Sequence, residues 1–438
     1  MGLLNQIAVN SFYRFLFLLL QLLITVLISR LTGPGGLGTY SLILANANIL
    51  LIFSSLGIPS GITFHAAKKD ISLQRLIRIA FITAGLQMVL IGAVEYIHWL
   101  ITGSFLIWPE KDQLLGICGI LFFFSLLISE RYFALYNGNN QLKWYNLQLA
   151  IFSFLTLLPL IYWILQPSRP EQYHVILLII LVSVLQMLVL AFVFYWLPNN
   201  RSAVPENEPG GNNRFFNYSI LAYLANSIQF LVYRIDFWIL HYFHGESELG
   251  LYALSVRIGQ TLWILPGLLA TVILPHITSN TFDKAILERM LRLTNTINLL
   301  SSVTMGLLSF LLLPLIFGQS FSGSIIPLLI MIPGLLFVSA HTLVAAFFAG
   351  KNKIAYNLKA STLTFITIIL LDFLLIPSMG RTGAAIACTI SYSVGGIYIM
   401  KLYADLENYS LLNIFMNKKD IEWLRSNVSR IFISGKNK

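Results

Sequence analysis

The chain has 438 residues, 57% of them hydrophobic and only 11% charged, where a soluble domain carries roughly 25% charged residues. Its mean hydropathy is +0.77, and the apolar residues gather in runs of about twenty, the length that crosses a ~30 Å hydrocarbon layer as a helix. A set of soluble domains is excluded, and an all-α polytopic membrane protein is expected. Cys118 and Cys388 both fall inside apolar runs, which leaves no disulfide framework or cysteine zinc site to build.

In chain order, twelve spans are predicted: 7–29, 38–64, 79–101, 114–135, 145–166, 174–197, 216–242, 249–274, 293–317, 323–348, 360–377 and 382–400. The first run is too long for a signal-peptide core and no small-residue cleavage site follows it, so it is read as a retained span. The longest joint, 198–215, is rich in Pro, Asn, Gly and Glu and reads as a cytoplasmic linker. It divides the chain into two six-helix bundles, 1–197 and 216–404, with a tail over 405–438. In the tail, Leu411, Ile414, Phe415, Ile421, Leu424, Val428 and Ile431 recur at helical spacing among Lys418, Lys419, Arg425 and Arg430. That pattern predicts an amphipathic helix on an anionic leaflet.

Lys and Arg set the orientation. Joints on the side of the N-terminus, with the tail, hold 21 of them, Arg131 included, against 4 on the opposite side (Arg30, Lys111, Arg169 and Arg381). Arg14, Arg234 and Arg257 lie within spans. An even number of spans with both termini in the cytoplasm follows, and the net charge of +10 is explained without nucleic acid.

A self-match carries more information. Gly33-Pro-Gly-Gly-Leu37-Gly38-Thr-Tyr40-Ser-Leu42 recurs as Gly245-Glu-Ser-Glu-Leu249-Gly250-Leu-Tyr252-Ala-Leu254, an ungapped offset of 212. At the same offset Gly138 matches Gly350 and Asn140 matches Asn352; one residue is then lost, and Tyr145-Asn146-Leu147 matches Tyr356-Asn357-Leu358. Six spans separate the copies, so both halves cross in the same direction. A parallel repeat about an axis along the membrane normal is predicted, with substrate at the interface of the halves.

With Ser29-Arg30-Leu31-Thr32-Gly33 ending span 1, Leu37-Gly38-Thr39-Tyr40-Ser41-Leu42 opening span 2, and Leu56-Gly57-Ile58-Pro59 beyond, the chain resembles the polysaccharide-exporter branch of the multidrug/oligosaccharidyl-lipid/polysaccharide (MOP) exporter superfamily. Within that branch it is most similar to the Wzx-type flippases of O-antigen and capsule repeat units. The resemblance implies two six-helix bundles related by a pseudo-twofold around a central cavity, with spans 1, 2, 7 and 8 lining the cleft.

Ionisable residues inside spans are costly and are functional candidates by default. Arg14 lies in span 1, Arg234 and Asp236 in span 7, Arg257 in span 8 and Asp372 in span 11. Arginine presents a fixed fork of donors that fits phosphate oxygens. Arg14, Arg234 and Arg257, with Asp236, are therefore expected to make a cavity for an anionic head group, such as the pyrophosphate of a polyprenyl-linked sugar. Asp236 and Arg257 lie at similar depth on adjacent spans and are a candidate pair. Asn46 and Asn48 in span 2, and Asn226 and Gln229 in span 7, are candidates for sugar hydroxyls. Asp236, Asp372 and the i,i+3 pair Glu95 and His98 are candidates for coupling to H+ or Na+. Pro59, Pro266, Pro314, Pro327 and Pro333 are candidate helix breaks.

No ATP-binding G-x-x-x-x-G-K-[S/T] loop occurs, no metal is expected at His241, His244 and Glu246, and no other cofactor is implied. The expected function is a non-enzymatic flippase in the bacterial inner membrane, moving polyprenyl-pyrophosphate oligosaccharides by alternating access beside polymerase or assembly proteins. An ion-coupled multidrug antiporter and a membrane-embedded polymerase or ligase are the alternatives.

Overall fold

Lipid offers backbone N–H and C=O groups no partner, so a bilayer-length apolar run folds as a helix, which satisfies them internally. The computed structural model describes residues 3–55, 57–68, 71–107, 113–139, 141–167, 170–196, 211–278, 284–351, 353–410, 415–418 and 420–422. Its helices are α1 (Leu3–Ser55), α2 (Ile58–Lys68), α3 (Leu73–Thr102), α4 (Gln113–Gly138), α5 (Leu142–Leu165), α6 (Gln172–Trp196), α7 (Gly211–Gly259), α8 (Ile264–Thr278), α9 (Lys284–Phe317), α10 (Ile325–Gly350) and α11 (Ile354–Glu407). Among the described residues, nine helical runs are long and apolar enough to cross a membrane. The protein is all-α and multi-pass.

Three of those runs are 44, 44 and 53 residues long, about twice what a bilayer needs. Each breaks at one glycine: Gly33 (φ 69°, ψ −169°) in α1, Gly245 (φ 78°, ψ −171°) in α7 and Gly380 (φ 55°, ψ −135°) in α11. The expected joints between spans 1 and 2, 7 and 8, and 11 and 12 are thus single-residue kinks. Only a residue without Cβ reaches these angles cheaply, and the helix resumes at once, in α1 with Pro34, whose fixed φ suits a first helical position.

Other boundaries differ for local reasons. Predicted span 2 is interrupted near Gly57 (φ 70°), after which α2 begins. Span 8 is interrupted by a 3-10 turn, Gln260–Trp263, just before Pro266. α9 starts at Lys284, nine residues ahead of the expected 293, because its first turns are polar.

Packing divides the chain into two compact units, Met1–Phe230 and Leu231–Lys438, with the division inside α7. Of the expected linker, 198–210 lies outside the described residues. The core of the first unit runs through Ile62, Ala80, Phe123, Leu127, Leu135 and Phe194, and one core of the second through Leu287, Leu343, Phe348, Ala360 and Tyr403. Helices approach closely where side chains are absent: a Cβ on Gly334 of α10 would stand 2.7 Å from the Thr389 Cα of α11.

The repeat is visible atom by atom. Gly33 and Gly245 share nearly the same backbone angles, and Leu37, Tyr40 and Leu42 are buried, as are Leu249, Tyr252 and Leu254. At the second match the hydrogen bonds themselves repeat at the offset of 212. Asn139 N–H donates to Leu135 O (3.1 Å), Gln141 N–H to Tyr136 O (2.8 Å) and Trp144 N–H to Gln141 O (3.0 Å). Their counterparts are Lys351 to Phe347 O (3.0 Å), Lys353 to Phe348 O (2.7 Å) and Tyr356 to Lys353 O (3.0 Å), so the backbone loses no residue at this joint and Tyr356 stands opposite Trp144, not Tyr145 as the sequence match has it.

Candidate substrate and coupling site

The second unit gathers Arg234, Asp236, Arg257 and Asp372 in one electrostatic neighbourhood. Asp236 lies nine residues before the Gly245 kink and Tyr252 seven after it, so the kink folds the two stretches of α7 back on each other. The Tyr252 hydroxyl donates to Asp236 Oδ2, and Cys388 Sγ, from α11, stands 3.1 Å from that hydroxyl and 3.4 Å from the carboxylate. All three residues are buried.

Asp372 is also fully buried, and neither of its carboxylate oxygens has a hydrogen-bond partner among the described residues; Asp236 Oδ1 has none either. The two carboxylates lie within range of each other's charge. The two carboxylates come from residues 136 apart in sequence.

Arg234 is half-buried. Its guanidinium lies over the Phe237 ring (4.8 Å to the centroid), with one long hydrogen bond from Nη1 to Tyr233 O (3.5 Å). Asp236, Tyr392 and Arg257 act on it electrostatically. The expected Asp236–Arg257 ion pair does not form: Tyr252 and Cys388, brought in by the kink and by α11, take the carboxylate instead. Tyr233, Trp263 and Tyr392 pack as a ring trio, with centroids 4.8, 6.0 and 6.2 Å apart, and fix α7, the 3-10 turn and α11 beside these charges.

In the first unit the remaining candidates are dispersed. Arg14 is exposed, its guanidinium over Phe17 at 5.2 Å. Asn46 Nδ2 donates to Leu106 O (3.0 Å), and Asn48 Nδ2 donates to Leu44 O (2.7 Å) of its own helix. Glu95, fully buried, accepts from Leu106 N–H (2.7 Å) and Ile107 N–H (3.1 Å), while His98 Nδ1 meets Ser104 O at 2.8 Å. Asn46, Glu95 and His98 fasten the loop after α3. The Asn226 side chain lies outside the described residues, and His244 Nε2 meets Ile376 O (2.7 Å).

Sequence reasoning missed one charged group. Arg131, counted with the cytoplasmic joints, lies inside α4 and is 1% exposed. Its Nη2 donates to Gln87 Oε1, Nη1 stands 4.0 Å from Glu130 Oε2, and neither Nε nor Nη1 has a hydrogen-bond partner among the described residues. The signal lay in the expected span 114–135 itself, which already runs past the arginine.

Residues 27–326 match the family described as "Polysaccharide biosynthesis protein". The chain belongs to that family. The polysaccharide biosynthesis proteins similar to it include the capsular polysaccharide biosynthesis protein CapF of Staphylococcus aureus, 22% identical over 88% of this chain and 95% of the relative. The fold resembles that of lipid II flippase MurJ in an inward closed conformation, with a TM-score of 0.71 at 13% identity, covering 94% of this chain and 89% of that one. It also resembles an inward-facing multidrug resistance MATE transporter of the MOP superfamily, with a TM-score of 0.63 at 15% identity over 92% and 99% of the two chains. The polysaccharide biosynthesis protein therefore shares the fold of these two transporters.

Proposed function

We propose that the protein flips polyprenyl-pyrophosphate-linked oligosaccharide repeat units, destined for O-antigen, capsule or exopolysaccharide. They move from the cytoplasmic to the outer face of the bacterial inner membrane, by alternating access and without an ATP site. The observation that carries this reading is Arg234. Among the described residues this half-buried guanidinium makes one long hydrogen bond and lies on one ring face, which keeps most of its fork of donors for a pyrophosphate. Arg257, half-buried beside it, adds a second cation. Asp236 and Asp372 hold the coupling ion, H+ or Na+, and Asp236 links the two roles because it feels both Asp372 and Arg234. Two relatives by name, a capsular polysaccharide protein and a glycan flippase, agree with such a substrate.

The test is a deletion strain in which the sidedness of lipid-linked oligosaccharide is measured after complementation. Repeat units trapped on the cytoplasmic face, released by wild type but not by Arg234→Ala, are the expected result. Release by both would remove Arg234 from the mechanism. Repeat units reaching the outer face but left unpolymerised in the deletion strain would mean a polymerase instead.

The carboxylate pair favours a second reading, an ion-coupled multidrug antiporter, since buried carboxylates also suit an organic cation. Under that reading deletion leaves the lipid-linked sugars unchanged and raises drug sensitivity, and Asp372→Asn, not Arg234→Ala, is the variant that fails to complement.

A further inference from the structure

Four stretches of the second unit run in the same order toward the end at which α7 and α11 kink. In α7 before its kink, Asp236, Leu240 and His244 follow at four-residue spacing, so they share one face of the helix; in α11, Asp372, Ile376 and Gly380 do the same. The two faces meet. His244 Nε2 lies 2.7 Å from Ile376 O, and a Cβ on Gly380 would stand 3.6 Å from His244 Cε1. Beyond the kinks the order runs back: Glu248 precedes Tyr252 by one turn in α7, and Arg381 precedes Cys388 by two in α11.

Three layers result. The innermost holds Asp236, Asp372, Tyr252 and Cys388. Leu240 and Ile376 fill the next, both at 0% exposure. The last lies about 12 Å from the carboxylates along either helix and is polar. There Arg381 Nη1 donates to Glu248 Oε1, and Arg381 Nε donates to Gly323 O (3.1 Å) in the 3-10 stretch Gln319–Ser324. One guanidinium thus ties together the kink of α7, the kink of α11 and the turn before α10. The Arg381 and Glu248 side chains are 29% and 31% exposed, so the boundary between wet and dry falls at this layer. An ion pair this exposed parts at little cost, and an apolar constriction passes ions only when it is wetted.

We propose that the Glu248–Arg381 clasp, with the Leu240–Ile376 layer beneath it, gates the path of the coupling ion between water and the Asp236–Asp372 pair. With the clasp made, the kinked ends of α7 and α11 are held together and the apolar layer is shut. Parting it frees the two ends, and water and the ion reach the carboxylates through the kinked end of the unit. The inference rests on the reading of Asp236 and Asp372 as holders of the coupling ion, and adds to it the route of that ion and the residues that control it.

Cys388, 3.4 Å from the Asp236 carboxylate, is a reporter already in place, and Cys118 in the first unit is an internal control. The full-length protein in detergent is treated with 2-(trimethylammonium)ethyl methanethiosulfonate, whose fixed charge keeps it in water, and modification of both thiols is timed by mass spectrometry. Glu248→Gln and Arg381→Gln break the clasp from either helix, and Leu240→Ala opens the layer beneath. Each should speed modification of Cys388 about tenfold or more, because a buried thiol reacts only when water reaches it, and leave Cys118 at its wild-type rate. An unchanged Cys388 rate in clasp variants that melt like wild type overturns the gate. So does equal acceleration at both thiols, which would mean general loosening. Complementation by Asp372→Asn separates this inference from the reading beneath it. Full transport by that variant removes the coupling-ion role of the pair whatever the thiols do, whereas loss of transport with unchanged Cys388 rates in the clasp variants removes the gate alone.

Discussion

At the scale of single residues, burial decides which charges hold the fold and which are left to act. Glu95 has both carboxylate oxygens committed to backbone N–H groups of Leu106 and Ile107, so its work is structural. Glu95→Ala leaves those buried donors unmet and is expected to destabilise the protein by about 2 kcal/mol, read as a lower melting temperature in detergent; an unchanged melting temperature would mean the loop holds without it. Arg234 and Asp372 are the opposite case, with donors or acceptors left over among the described residues. The identity of these residues was legible in sequence because a charge inside an apolar run stands out. Their partners were not: Cys388, in sequence only a thiol within an apolar run, sits on the Asp236 carboxylate.

At the scale of elements, one backbone conformation joins spans in both copies of the repeat. A Cβ at Gly33 or Gly245 would meet nothing within 4 Å, so substitution there tests the angles alone. Those angles belong to a region that only glycine occupies readily, at about 1–3 kcal/mol for any other residue. Gly33→Ala and Gly245→Ala should each lower thermal stability by that order. Stability unchanged by either would place the turn's control elsewhere. The glycines were visible in sequence as a repeated motif. Continuous helix through a single kinked residue was not, since polar residues around Gly33 and Gly245 read equally well as a short loop.

At the scale of the whole molecule, the distribution of Lys and Arg predicts which face the tail occupies. A cysteine introduced by Lys436→Cys, in a background lacking Cys118 and Cys388, should react with a membrane-impermeant maleimide only after the inner membrane is opened. Labelling in intact spheroplasts would reverse the orientation, and with it the direction proposed for transport. Removing Arg131 from the cytoplasmic count leaves 20 against 4, so the expectation survives that correction. The sequence by itself determined the membrane class, the helical elements and the duplication, because each is local. A run either matches the bilayer thickness or does not, and a motif either recurs at one offset or does not. The tertiary structure alone decided that Asp236 meets Tyr252 and not Arg257, that Asp372 comes near Asp236, and that Asp420 returns across 128 residues to Arg292. Those choices depend on how far each helix is turned about its own axis, and that rotation is set by the packing of every neighbouring side chain at once.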